Sequence, residues 1–112
     1  MAKVVVDADF VTVELTGAER LETLHGDVTV PRASVVDARE VPDAMAELHG
    51  MRAPGTGLPG ILMAGTWRSA QEIIFAVCHG RKPGVVIDLV DTKYDRIVLT
   101  VDDPEQVLAS LR

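Results

Sequence analysis

Three histidines, one cysteine and one glycine-proline loop are the pieces of this chain with the means to do chemistry. Cys78 and His79 are adjacent on an apolar, strand-like run, so their side chains point to opposite faces and cannot form a nucleophile–base dyad. His25, His49 and His79 are scattered, with no spacing that would gather a metal. No metal, cofactor or catalytic group is therefore expected, and the chain reads as a non-enzyme. The loop APGTGLPG, residues 53–60, offers an anion cradle in the amides of Gly55, Thr56 and Gly57. A P-loop, however, ends in Gly-Lys-Ser/Thr and opens a helix, whereas a strand follows here. Pro54-Gly55 and Pro59-Gly60 each suit the centre of a type II turn, so two structural turns in series are the preferred reading. A meander in the second half would bring Arg52, His79, Arg81 and Lys82 to one end. The candidate anion end is then Arg52, Gly55, Thr56, Gly57, Arg81 and Lys82. Basic residues near an anionic surface contribute about 1 kcal/mol each, and Asp102 and Asp103 at the same end would offset part of that.

Charge restricts the partners. The net charge of −6 opposes non-specific attraction to nucleic acid or anionic membrane. Four aromatic residues, Phe10, Trp67, Phe75 and Tyr94, are too few for a base-stacking platform. A single cysteine excludes an internal disulfide and suits a reducing compartment. The sequence MAKVVVDADF lacks the features of a secretory signal, and no apolar run reaches bilayer-spanning length, so a cytoplasmic protein is expected. Residues 1–112 read as one domain.

The elements that must position these residues are short Val-, Ile- and Leu-rich runs bounded by Gly, Pro and Asp. KVVVDAD and FVTVEL predict an opening hairpin. TGAERLETLHG predicts a two-turn helix capped by Thr16 and Glu19, with Leu21 and Leu24 on one side and Gly26 ending it. DVTVP and SVVDAREV predict strands broken at Pro31, and PDAMAELHG a helical turn. ILMAGTW, EIIFAVC, PGVVIDLV and RIVLTV predict four strands in an antiparallel meander. DDPEQVLASLR predicts a closing helix, with Asp103 as N-cap, Pro104 in the first turn and Val107, Leu108 and Leu111 as its apolar stripe.

GMRAPGTGLPGILMAGTWR, PGVVIDL, YDRIVLTVDDP and the closing helix, with VTVPRASVVDAREV upstream, resemble small stand-alone actinobacterial proteins with a pleckstrin-homology-like (PH-like) fold. The resemblance runs from about Val28 to the end. It implies a mainly β barrel of two near-orthogonal antiparallel sheets, about seven strands, closed by one C-terminal helix. It also implies a binding module rather than an enzyme. The basic strand-loop motif with which some relatives grip phosphoinositides is not matched by the acidic hairpin VVVDADFVTV.

Alternation assigns Ile61, Met63, Trp67, Ile73, Phe75, Val77, Val85, Ile87, Leu89, Ile97, Leu99 and Val101 to the core face. Trp67 reads as a core-edge residue beside the turn RSAQ. The opposite face, carrying Leu62, Ile74, Ala76, Val86, Val90 and Val98, is less polar than a solvated face should be. Two readings follow. Either it is an interface, with Leu62, Ile74, Ala76, Val86 and Val98 meeting a second copy or another cytoplasmic protein, or the apolar segment from Pro42 to Gly60 folds over it. The expected function is protein–protein interaction or homo-oligomerisation; the alternative is a weak site for an anionic small molecule or headgroup at the Arg52, Arg81 and Lys82 end. Asp88 and Arg96 are expected as a cross-strand surface ion pair.

Overall fold

The computed structural model describes residues 1–52 and 54–112. In chain order the elements are β1 (Lys3–Val6), β2 (Phe10–Glu14), α1 (Gly17–Thr23), β3 (Val28–Pro31), β4 (Val35–Val41), β5 (Met51–Leu58), β6 (Leu62–Arg68), β7 (Ile73–His79), β8 (Gly84–Leu89), β9 (Arg96–Thr100) and α2 (Pro104–Leu111). Single 3-10 turns at Arg32–Ser34 and Ala44–Glu47 flank β4. The fold is mainly β, with two sheets and a C-terminal helix. The sheets stack as layers, β1-β2-β3 and β4-β8-β9-β7-β6-β5, without closing on one another.

The second half is not a simple meander. Its strands are present, but β7 and β9 pair in parallel, Phe75 opposite Ile97 and Val77 opposite Leu99. β8 lies beyond β9, and the β8–β9 hairpin folds back into the gap. Two strand spacings are about 10 Å, which the short connection after β7 spans easily. The hydrophobic run of β9 fits this central place: Ile97, Val98 and Leu99 are all fully buried, as a strand covered on both faces requires.

The larger core lies between the sheets. Val11, Val13, Val28 and Val30 of the small sheet meet Ala64, Phe75, Val77, Val85, Ile87, Ile97 and Leu99 of the large one. α2 adds Leu108 and Leu111, as its stripe predicts, and Asp103 accepts from the Gln106 N–H at 3.2 Å to cap it. A second core occupies the far face: Trp67, Ile74, Ala76, Cys78, Val86 and Val98 lie under Val41, Ala44 and Met45. The segment from Pro42 to Gly50 is therefore the cover, and the expectation of an open face is overturned. Trp67 belongs to this second core and Leu62 to the first, the reverse of the expected phasing. The cause is the register that sets Trp67 opposite Ile74.

The loop reading needs one correction. Pro59-Gly60 does form a turn, closed by Ile61 N–H to Leu58 C=O at 2.9 Å, but Pro54-Gly55 lies inside β5. There the β5–β6 register shifts, and Gly55 (φ 146°) packs backbone to backbone on Gly65 (φ 144°). A side chain on either would strike the other strand's carbonyl, so this is a glycine bulge rather than a turn.

Candidate functional site

α1 packs on β5 and β6, and it does so inside out. Its capping box forms as the sequence predicts: the Glu19 N–H donates to Thr16 Oγ1 (3.1 Å) and the Thr16 N–H to Glu19 Oε1 (2.9 Å). The inward residues are polar, Glu19 and Thr23, each 1% exposed. The other carboxylate oxygen of Glu19 meets His79 Nε2 at 2.8 Å, and Thr23 Oγ1 donates to the Glu19 carbonyl at 2.7 Å. Burial pushes the Glu19 carboxyl up, but the Thr16 amide and His79 outweigh it and hold it below its ordinary range.

The consequence is on the outside. Leu21 is 75% and Leu24 65% exposed, the pair that the sequence places on one side of the helix. Leu24, not Gly26, ends the helix, at φ 54°, a left-handed conformation that disfavours leucine. Thr56 Oγ1 donates to the Glu22 carbonyl at 2.8 Å and fixes α1 to β5. Leu58, half exposed, and Ile61, 69% exposed, flank the β5–β6 turn at the end of that same strand. Alternation places Ile61 in the core, but it lies in the turn before β6 begins and so stays outside. The missed signal lies in α1 itself. Glu19 and Thr23 are four apart and share a face, and with that face turned inward onto His79, Leu21 and Leu24 point outward.

The residues of the expected anion end do not converge. Arg52 pairs with Trp67, at the end of the large sheet opposite the β7–β8 turn that carries Arg81 and Lys82. Its guanidinium folds back along β5 onto Gly57. Arg81 is engaged with Asp43 at 2.6 Å, and the Lys82 carbonyl accepts from the Ala44 N–H at 3.0 Å. Gly55, Thr56 and Gly57 stand in the β5–β6 ladder opposite Gly65, Ala64 and Met63, so they form a strand rather than a nest.

The five residues expected to form an outer interface are in the interior. Ile74, Ala76, Val86 and Val98 are fully buried beneath the 42–50 segment, and Leu62 lies in the other core. Asp88 and Arg96 do pair across strands, at 2.7 Å, within a chain of charges that includes Asp37, Arg39, Glu72 and His49. Burial pushes the Asp88 carboxyl up, but Arg96 and Arg39 outweigh it and hold it low. Cys78 and His79 point to opposite faces, as strand geometry demands.

The chain matches no family model, no curated protein and no solved structure. Among the described residues, no helix is long and apolar enough to cross a membrane. The corner formed by α1 and the β5–β6 turn is thus read from its own geometry. It presents large aliphatic side chains on a helix whose polar side is already committed to the interior.

Proposed function

We propose that this chain is a non-enzymatic, cytoplasmic protein-binding module that self-associates through Leu21, Leu24, Leu58 and Ile61. The inverted amphipathicity of α1 carries the reading. A short helix that hides Glu19 and Thr23 while exposing two leucines gains nothing in its own fold from those leucines. Large exposed apolar side chains commonly mark an interaction surface. A second copy is the fitting occupant, because an aliphatic patch is complementary to itself and closed two-fold assemblies are the commonest.

The PH-like resemblance is part of the same proposal. Stacked sheets and a C-terminal helix accord with it, and its binding-module character suits the reading. The parallel β7–β9 pair departs from a plain meander.

Sedimentation velocity from low to high micromolar concentration tests the proposal. A concentration-dependent dimer is expected, converted to monomer by Leu24→Glu with Ile61→Glu while the thermal midpoint stays within a few degrees. A monomer throughout the range, or a dimer indifferent to both substitutions, overturns it.

A further inference from the structure

The large sheet is covered unequally. One face is roofed by a three-stranded sheet and a helix; the other, bearing Trp67, Ile74, Ala76, Cys78, Val86 and Val98, by the single segment 42–50. That segment has no strand and no α-helix, only the 3-10 turn Ala44–Glu47. Ala44 and Met45 are its buried anchors, with Leu48 partly buried. Two of its backbone bonds are internal, Ala46 N–H to Asp43 C=O and Leu48 N–H to Met45 C=O. Among the described residues, Ala44 N–H to the Lys82 carbonyl ties its backbone to the β7–β8 turn.

Its ends are clasped by side chains at the surface: Asp43 to Arg81 at 2.6 Å, and His49 to Glu72 at 2.7 Å. Arg81 and His49 are each more than half exposed, and such pairs contribute little. The segment ends at Gly50, whose φ of 99° favours glycine. The Ala44 methyl rests over Gly84, 2.8 Å from where a Cβ would stand. Few apolar anchors, surface clasps and almost no shared ladder are the features of a unit that opens before the whole fold does.

We infer that residues 42–50 form a strap that lifts from the large sheet while both sheets and α2 stay folded, uncovering the face of Ile74, Ala76, Cys78, Val86 and Val98. This inference is independent of the self-association surface, which lies on the α1 corner. The molecule carries its own reporter, because Cys78 is the one cysteine in the chain and is fully buried in the core beneath the strap. Burial pushes its thiol up to about 12, with the Asp43 carboxylate of the strap adding to the effect. Lifting the strap relieves both and returns a reactive thiol.

Labelling Cys78 with an aromatic disulfide reagent at pH 8 over a range of urea below the unfolding transition tests the strap. Labelling at zero urea should run at least about tenfold faster than global unfolding permits, and should be nearly independent of urea. Arg81→Ala with His49→Ala should accelerate it about three- to tenfold. Leu111→Ala, which weakens the other core, should lower the urea midpoint but leave labelling at zero urea unchanged. The strap is overturned if labelling tracks global unfolding with its full urea dependence, if Leu111→Ala accelerates labelling as much as it destabilises the fold, or if the clasp variants do not change the rate.

Discussion

Leu24 stands where a helix commonly ends in glycine or asparagine, and it is mostly exposed there. A left-handed backbone costs an L-residue with an ordinary side chain about 1–2 kcal/mol. Leu24→Asn should therefore leave the protein as stable or up to about 1 kcal/mol more stable, measured by the urea midpoint. The same change should weaken self-association about a hundredfold or more, because a two-fold dimer loses the side chain twice at about 1.5 kcal/mol or more each. A loss of more than about 1 kcal/mol would show that Leu24 serves the fold instead. Glu19 makes the opposite case, a charged residue that serves the interior. Its carboxyl is held below its ordinary value of 4.5, so its contribution is complete above that pH and is lost as pH falls through the lowered value. Wild type should exceed Glu19→Gln in urea stability at pH 7, and the gap should close as pH falls below about 4.5 and through the lowered value. A constant gap would mean that the ionised carboxylate is not what stabilises. The Thr16–Glu19 box was legible in the sequence because both partners lie within one turn. His79, 60 residues away, was not, because nothing local announces it.

Strands and helices were legible wherever a short window holds the signal: the opening hairpin, both helices, the 3-10 turn at Ala44–Glu47 and the strands of the large sheet other than β5, whose Pro-Gly pairs read as turns. Pairing between them was not. Alternation tells which residues of β6 share a face, but when both faces are apolar it does not say whether Trp67 joins Phe75 or Ile74. The register chose Ile74, and the core assignment of β6 inverted with it. The parallel placement of β9 was hidden for a related reason, since the β7–β8 connection is as short as that of a hairpin. The evenly apolar IVL of β9 was the available clue to burial on both sides. α2 is the element whose role follows from its own sequence. Leu108 and Leu111 together bury enough to contribute about 3–6 kcal/mol, comparable with the whole stability of a small domain. Arg32 also donates to the Leu111 carbonyl, tying the helix to the segment before β4. Ending the chain after Asp102 should abolish the cooperative thermal transition. A soluble truncated chain melting near the full-length midpoint would show that α2 is peripheral.

At the scale of the whole molecule the deciding quantity is charge. Two copies brought together each carry −6. Arg52 stands near the start of β5, at the end of the large sheet opposite Arg81, but folds its guanidinium back onto Gly57, and Arg81 is held by Asp43. Anionic vesicles should therefore leave the protein unbound in flotation at physiological salt. The same field acts on the proposed dimer, but there it opposes an apolar contact that salt does not weaken. Screening shrinks the reach of the charges to about 10 Å at 0.1 M and about 3 Å at 1 M, so repulsion between copies fades while leucine burial remains. The dimer should tighten as sodium chloride rises from 20 to 500 mM, by a few-fold in Kd. An interface built on ion pairs, such as the Asp88–Arg96 chain, would weaken over the same range. Sedimentation equilibrium at the two salt concentrations separates the cases: a Kd that rises with salt assigns association to the charged face and removes it from the α1 corner.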